Sequence, residues 1–372
     1  MEFRDNLEKY SGLLKITIGL LISIGVIMVY SASYMYSKEH YGSSLYFFIR
    51  QLGFASVALV GALVVSKTKY QFWYKYAFYI NIFVSFLIFL TYIPGLGVLA
   101  KGANRWIAIA GFSLQPGEFA KYSTLLLSLY LFENFDTLDL KKRIQYSLNL
   151  LLPLVLLILQ PDFGTFFICS IGIFLSCFIS KFSRKVFYGL TGLGSILGVI
   201  ILFAQPYRVK RLTAFLDPWA NAQGSGFQVI QSWIGFANGG FFGKGVGNSL
   251  EKLFYLPEAH NDFIFSVIGE EFGFLGVISI AGLFLSFVYL GLRLCFEMKD
   301  RVATQICVLI ISIIGLQAAL NMGVVLGLLP TKGLNLPFIS YGGSSLLANI
   351  LAIGLVYSCV NRSSELRSSE SF

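Results

Sequence analysis

The chain has 372 residues, of which 56% are hydrophobic and 13% are charged, and its mean hydropathy is +0.73. These values exclude an ordinary soluble domain and indicate a polytopic membrane protein. The net charge of +9 does not indicate nucleic-acid binding, because the basic residues fall in short clusters between apolar stretches, a pattern that membrane topology explains better.

Ten apolar stretches are long enough to cross a membrane, so the sequence predicts an all-α polytopic membrane protein with ten transmembrane helices. They lie near residues 12–32, 45–65, 73–93, 116–133, 146–160, 163–180, 186–205, 262–292, 303–329 and 342–360. No small-residue cleavage pattern follows the first stretch, so we expect it to remain as a helix. The fifth and sixth stretches are separated only by Gln160 to Gly164, which predicts a tight re-entering hairpin.

The lysines and arginines predict the orientation. Most of the 28 basic residues fall on one side when the spans alternate, which assigns that side and both termini to the cytoplasm. A long loop, residues 206–261, then lies on the extracytoplasmic face between the seventh and eighth helices. Within it, Phe227 to Ala237 is predicted to form an amphipathic surface helix. We expect a single integral membrane domain, 1–372, that contains this loop.

Acidic residues and a histidine gather between Leu256 and Gly273, where a polar loop enters a long apolar helix. Asn261 or Asp262 is predicted to cap that helix, because a side-chain oxygen there can accept a bond from the first-turn amides. Capping does not exclude catalysis, since it holds a carboxylate rigidly. The helix end favours the ionised carboxylate, whereas burial would make it a better base, and the sequence leaves that balance open.

Two adjacent acids, Glu270 and Glu271, lie roughly 12 Å deeper along the same predicted helix. Ionisable side chains at such depth are expensive when they face lipid, so at least one of them should meet a cation or water. We expect Glu270 to line a cavity with Asp262. A purely structural ion pair inside the bundle is the alternative.

The fourth predicted helix begins with Gln115, Pro116, Gly117 and Glu118, and Lys121 follows. Proline at the first helical position and an acid in the first turn are ordinary helix-start features. Lys121 lies three residues after Glu118, so the two can pair on one face, pointing into the bundle. Arg105, which precedes Trp106 on the same side, is either a ligand contact or an interfacial anchor.

Three further basic residues are candidates for binding an anion on the extracytoplasmic side. Arg208 and Arg211 would stand at the mouth of the seventh helix, where the planar guanidinium suits diphosphate oxygens; contact with lipid headgroups is the alternative. Lys332 lies in a connection, 329–345, that is punctuated by proline and glycine. Irregular backbone at membrane depth is tolerated only beside protein or water, so this connection is predicted to line a cavity.

The same residues carry a resemblance to a known family. They are Arg105 with Trp106, Gln115 to Lys121, Asp217 to Trp219, Gly224 to Ser232, Leu256 to Gly273, and Leu329 to Ser345. Together they resemble the SEDS family of bacterial shape, elongation, division and sporulation proteins, over almost the whole chain. Pro257 to His260 and Pro330 to Gly333 are more similar to the division branch, FtsW, than to the elongation branch.

The resemblance implies the SEDS fold and a peptidoglycan glycosyltransferase of the bacterial inner membrane that polymerises lipid II at the septum. Asp262 falls on the family's essential aspartate, implied to deprotonate the acceptor 4-hydroxyl while undecaprenyl diphosphate leaves with inversion. The implied substrate contacts are Arg105, Lys121, Arg208, Arg211, Lys332, Glu258, His260 and Glu270. The implied partners are a class B penicillin-binding transpeptidase and other divisome membrane proteins, and Mg²⁺ or Mn²⁺ is a candidate assistant.

Two other kinds of function stay open at this point. A cationic bundle with broken helices also suits a lipid II flippase, and a division scaffold without catalysis would use only the surfaces of the helices. The chain also departs from the family at two positions, with Asn261 where threonine is common and Phe254 where a polar or acidic residue is common in the division branch. Neither departure removes the candidate base.

Overall fold

A computed structural model describes residues 2–100, 103–109, 112–203, 213, 215–224, 226–257, 259–330 and 333–370. Helices account for most of them, as the apolar stretches predict. They are α1 (Glu2–Tyr41), α2 (Tyr46–Lys67), α3 (Tyr70–Lys75), α4 (Ala77–Leu90), α5 (Pro116–Glu133), α6 (Leu140–Leu159), α7 (Phe163–Ile179), α8 (Arg184–Phe203), α9 (Phe227–Gly239), α10 (Ile264–Phe296), α11 (Arg301–Val325) and α12 (Gly343–Glu370).

Six of the described helices are long and apolar enough to cross a membrane. They are α1, α2, α6, α10, α11 and α12, and two shorter apolar helices, α4 and α7, accompany them. The predicted third span divides into α3 and α4 at Tyr76. In α12, 83% of the most apolar window is buried by protein, against 22% in α2, α6 and α10, so α12 lies at the centre of the bundle.

The central helix approaches α2 closely because small residues face each other. A Cβ atom placed on Gly354 of α12 would lie 2.7 Å from the Ala62 carbonyl oxygen of α2. Small residues at helix interfaces let backbones approach, which increases van der Waals contact where lipid offers no hydrophobic drive between helices. Glycine at this position therefore sets the α2–α12 distance.

A small antiparallel sheet interrupts the all-α pattern that the sequence predicts. Strands β1 (Gly97–Ala100), β2 (Ala103–Ile109) and β3 (Phe112–Leu114) pair in chain order. Ile107 of β2 stands opposite both Gly97 and Leu114 and is buried. The sheet leads directly into α5 and carries Arg105.

Helix α10 is broken at Gly273, where the sequence predicts a continuous span. Gly273 has φ 65° and ψ −159°, a conformation essentially restricted to glycine. The break frees the Glu270 and Glu271 carbonyl oxygens, which accept bonds from the amides of Lys244 and Gly245, each at 2.9 Å. We call Ile264 to Phe272 the arm of α10; it is joined to the long loop through this backbone pairing.

The surface helix predicted within the long loop is present as α9. It packs against the end of α11, since Ser232 Oγ donates to the Val325 carbonyl oxygen at 2.7 Å and Trp233 Nε1 to that of Leu326 at 3.0 Å. Its own residues Val229 and Ile230 are buried. The helix was expected at the membrane surface; these contacts also fasten the long loop to the bundle.

Candidate functional site

Asp262 lies just before the arm, on a main chain that is held from several sides. Asn321 Nδ2 of α11 donates to the Asp262 carbonyl oxygen at 2.8 Å and to that of Leu334 at 2.6 Å. A Cβ atom placed on Gly333 would lie 3.1 Å from Asp262 Oδ2. The carboxylate therefore stands against the backbone of the connection between α11 and α12, and Asp262 is partly exposed.

The prediction that Asn261 or Asp262 caps the helix is wrong. Phe263 occupies the cap position, and no side chain accepts a bond from the first turn there. Main-chain contacts fix the segment instead: the Asn261 carbonyl oxygen accepts from Ser340 Oγ at 2.7 Å, and that of His260 accepts from the Tyr341 amide at 3.0 Å. The Asp262 carboxylate lies against the connection, where a Cβ atom on Gly333 would be 3.1 Å from its Oδ2.

Lys121 is buried inside the bundle, as the sequence predicts. Its Nζ lies 2.7 Å from Glu118 Oε2 and 2.7 Å from Gln317 Oε1 of α11. Gln317 Nε2 in turn donates to the Asn335 carbonyl oxygen at 2.9 Å. The predicted Glu118–Lys121 pair is confirmed, and it holds α5, α11 and the 333–341 connection together. A buried charge is tolerated here because it is paired and hydrogen-bonded.

The hairpin between α6 and α7 reaches the same connection. A Cβ atom on Gly164 would lie 3.4 Å from the Gly333 carbonyl oxygen. Asp162 caps α7, because its Oδ1 accepts from the Thr165 amide at 3.4 Å; its Oδ2 accepts from Thr165 Oγ1 at 3.0 Å and from Gln115 Nε2 at 3.3 Å. Sequence reasoning passed over Asp162, although an acid just before a helix is a strong capping signal.

Arg105 contacts this hairpin through the sheet. Its Nη2 donates to the Pro161 carbonyl oxygen at 2.6 Å. The guanidinium therefore lies beside the hairpin, which itself touches the connection that faces Asp262. Arg208, Arg211, Glu258 and Lys332, also predicted as site residues, lie outside the described residues.

Glu270 is fully buried and engaged by the long loop. Its carboxylate accepts bonds from Lys244 Nζ at 3.0 Å, Ser249 Oγ at 2.5 Å, the Leu250 amide at 3.1 Å and the Glu251 amide at 3.2 Å. The sequence predicts that Glu270 lines a cavity with Asp262. These contacts favour the alternative, a structural ion pair inside the protein. They bind the loop segment 244–251 to the arm.

Glu271 points in a different direction from Glu270 and is also buried. Its Oε1 lies 2.7 Å from Lys252 Nζ and 2.6 Å from Ser31 Oγ of α1. Lys252 also lies over the Tyr34 ring, 5.0 Å from its centroid. Sequence reasoning missed Lys244, Lys252 and Ser31 as partners, because nothing in their spacing links them to the two acids.

One acid of the loop, Glu251, has a shifted pKa. Glu251 is 3% exposed and lies near Glu270. Burial, with a smaller contribution from the Glu270 carboxylate, raises the pKa of Glu251 to about 7, while Lys244 opposes the rise. Among the residues that the structure describes, no hydrogen-bond donor reaches its Oε2.

His260 lies among aromatic rings. Its ring centroid is 4.9 Å from that of Phe47 and 5.4 Å from that of Tyr36. Within the described ranges no group of three or more histidine, cysteine, aspartate or glutamate side chains could hold a metal.

The chain matches one protein family along most of its length. The model of the cell cycle protein family that comprises FtsW, RodA and SpoVE matches residues 11–365. The chain belongs to this family. A Trichlorobacter lovleyi protein named "Probable peptidoglycan glycosyltransferase FtsW" is 41% identical over 354 residues, covering 94% of this chain and 93% of that protein. "Stage V sporulation protein E" of Bacillus subtilis is 38% identical, covering 91% and 93%.

Two solved structures have a similar fold. A chain from the study "Structural coordination of polymerization and crosslinking by a peptidoglycan synthase complex" superposes with a TM-score of 0.73 at 27% identity, covering 94% of this chain and 97% of the other. The rod shape determining protein RodA of Thermus thermophilus gives a TM-score of 0.67 at 23% identity, covering 94% and 96%. The latter likeness concerns the fold alone.

Proposed function

We propose that this family member is an FtsW-branch peptidoglycan glycosyltransferase that polymerises lipid II during cell division. The names of its relatives support the activity. The observation that carries the catalytic part is the position of Asp262. Asp262 is a partly exposed residue, its carboxylate stands against Gly333, and its main chain is fixed by Asn321.

In the proposed reaction, Asp262 is the general base. Its carboxylate takes the proton of the acceptor sugar 4-hydroxyl while that oxygen bonds to the anomeric carbon of the donor. The bond between this carbon and the diphosphate oxygen breaks, undecaprenyl diphosphate leaves, and the configuration inverts. A positioned base of this kind contributes roughly 100-fold to 10,000-fold in rate.

The leaving diphosphate needs cations. Arg105 stands beside the hairpin next to the connection, and we propose it as one contact, with Arg208, Arg211 and Lys332 as the others. Lys121 is already held by Glu118 and Gln317, so its proposed contribution is to place the Asn335 segment under the substrate.

The remaining predicted substrate contacts keep distinct proposed roles. Glu258 and His260 border the base in sequence and are proposed to contact the sugars. Glu270 is proposed to act through the loop that it binds, since its carboxylate already accepts four bonds.

The topology that we propose has ten spans, both termini in the cytoplasm, and the long loop, 206–261, on the extracytoplasmic side of one integral membrane domain. The six long apolar helices and the two shorter ones support it. The chain is proposed to act at the septum with a class B transpeptidase and other divisome proteins. The likeness to a chain of a peptidoglycan synthase complex supports such a partner.

The test is polymerisation of purified lipid II by the reconstituted protein, with and without a cognate transpeptidase. Asp262→Asn should still bind lipid II but lose at least about 99% of the glycan product, whereas Asp136→Asn, at an exposed position, should polymerise normally. Full polymer from Asp262→Asn would refute the proposal. Movement of lipid II between leaflets that is unaffected by Asp262→Asn, without polymer from either protein, would identify a flippase instead.

A further inference from the structure

A group of aromatic rings lies where α1 ends and α2 begins. Tyr41 and Tyr46 stack with their ring centroids 3.9 Å apart and an angle of 9° between the planes. Phe47 stands edge-on to Tyr46 at 5.2 Å, and the Arg50 guanidinium lies over the Tyr46 ring, 4.6 Å from its centroid. Ring faces and a cation are thus brought together within one short turn.

The same group reaches the segment that carries Asp262. Phe47 lies 4.9 Å from the His260 ring and 4.7 Å from the Tyr341 ring, and Tyr36 lies 5.4 Å from His260. His260 precedes Asp262 by two residues. We call Tyr36, Tyr41, Tyr46, Phe47, His260 and Tyr341 the aromatic cluster.

The cluster is buried at one end and open at the other. Phe47 is 6% exposed, whereas Tyr41 is 49% exposed and presents a ring with a hydroxyl group. Farther along α2 the exposed large hydrophobic residues are different, because they are aliphatic, such as Val57, Val60 and Leu63. The open end therefore combines apolar ring faces with polar groups, a surface that suits a ligand with both characters.

Tyrosines at a membrane boundary are often interfacial anchors, which is the alternative explanation. Anchors need only to reach the headgroup region, and nothing requires them to converge on a catalytic segment. Here the rings form a connected path from the open Tyr41 to His260, and the Tyr341 amide binds the His260 carbonyl oxygen at 3.0 Å. The convergence favours a ligand that extends away from Asp262.

We propose that the aromatic cluster is a binding platform for the glycan strand, holding sugars of the polymer near the reacting end. This rests on the proposed function. The C–H faces of β-linked amino sugars pack against the negative faces of aromatic rings, and tyrosine hydroxyls bond to sugar hydroxyls and amides. Arg50, with Lys38 on the exposed end of α1, complements the carboxylates of the stem peptides.

The first measurement is direct binding. Lipid-free glycan fragments, alternating β-1,4-linked N-acetylglucosamine and N-acetylmuramyl peptide, are titrated onto the Asp262→Asn protein in detergent and followed by saturation-transfer NMR. Tyr41→Ser should raise the dissociation constant roughly tenfold, which is the loss of affinity expected when an aromatic anchor is truncated. Tyr41→Phe, which keeps the ring, should retain most of the affinity. Tyr289→Ser removes a tyrosine that is 55% exposed in α10 and serves as the matched control.

The second measurement uses the protein with Asp262 intact. Tyr41→Ser should make shorter glycan strands, because the polymer leaves earlier, whereas Tyr289→Ser should leave strand length unchanged. Equal binding and equal strand length for these two variants would overturn the platform and identify an interfacial anchor, leaving the proposed function in place. Full polymer from Asp262→Asn would instead remove the proposed function itself.

Discussion

The buried ion pair between Lys252 and Glu271 offers a strong test of how the long loop is held. The two side chains are 1% and 0% exposed and lie 2.7 Å apart. Replacement of Lys252 by methionine keeps a side chain of similar volume but leaves Glu271 with Ser31 as its remaining described partner. Removing one member of a buried pair typically costs about 3–5 kcal/mol, because the other charge stays buried without compensation.

A double-mutant cycle separates this cost from lost packing. We expect Lys252→Met to lower the free energy of unfolding by about 3–5 kcal/mol, and Glu271→Gln to lower it as well. The variant with both changes buries no charge, so it should be more stable than Lys252→Met alone. The expected coupling free energy is at the upper end of the usual range, about 3 kcal/mol. Unfolding is measured in detergent micelles by tryptophan fluorescence.

The matched control is the pair of Lys142 and Asp139. These side chains are 61% and 59% exposed and lie 3.7 Å apart, so Lys142→Met should change stability by less than about 1 kcal/mol. If Lys252→Met costs as little as Lys142→Met, or if the double variant loses the sum of the two single losses, then the pair does not hold the loop as the geometry implies.

Two further predictions concern the same region. Because the folded-state pKa of Glu251 is raised from 4.5 to about 7, the protein should lose up to roughly 3 kcal/mol of stability as pH rises between these values. Glu251→Gln should abolish that loss and be the more stable form at pH 8. If the pH profile of unfolding is the same for Glu251→Gln and the unchanged protein, the raised pKa of Glu251 is refuted. Gly273→Ala should lower the free energy of unfolding by about 2–3 kcal/mol and abolish polymerisation. The added Cβ would lie 2.6 Å from the Phe241 carbonyl oxygen, on a residue with φ 65°. Gly282→Ala, with open space around its Cβ, should be tolerated or stabilising in the same unfolding and polymerisation assays.

Local rules predicted what depends on neighbours in sequence. Hydropathy located the helices, and the three-residue spacing of Glu118 and Lys121 predicted their ion pair, which the structure confirms. Proline at the first turn of α5 was predicted for the same reason. In each case the energy comes from contacts within one or two helical turns, so the sequence pattern suffices.

The features that the sequence did not predict depend on tertiary contacts or on very short elements. The period of apolar residues runs without interruption through Gly273, so it predicts one helix, whereas backbone bonds from Lys244 and Gly245 stabilise a break. The expected cap on α10 failed because Asn321 and Ser340 hold the chain before the helix through its carbonyl oxygens. The small sheet has short strands, which carry too little periodicity to be read from sequence.

The adjacent acids explain why the arm and the loop have one mutual arrangement. Neighbouring residues on a helix point about 100° apart, so Glu270 and Glu271 cannot share a lysine. Glu270 meets Lys244 and Glu271 meets Lys252, and the freed carbonyl oxygens of both acids bind the loop backbone as well.

A slip of the loop by one residue would therefore separate the buried Lys252–Glu271 pair, the pair of buried Glu270 with the partly exposed Lys244, and two backbone bonds together. Each unpaired buried charge is costly, so such alternatives lie well above the native arrangement in free energy. Asp262 lies two residues before the arm, and Asn321 Nδ2 holds its carbonyl oxygen. If Asp262 acts as proposed, its placement therefore depends on charges in the arm and the loop as well as on Asn321.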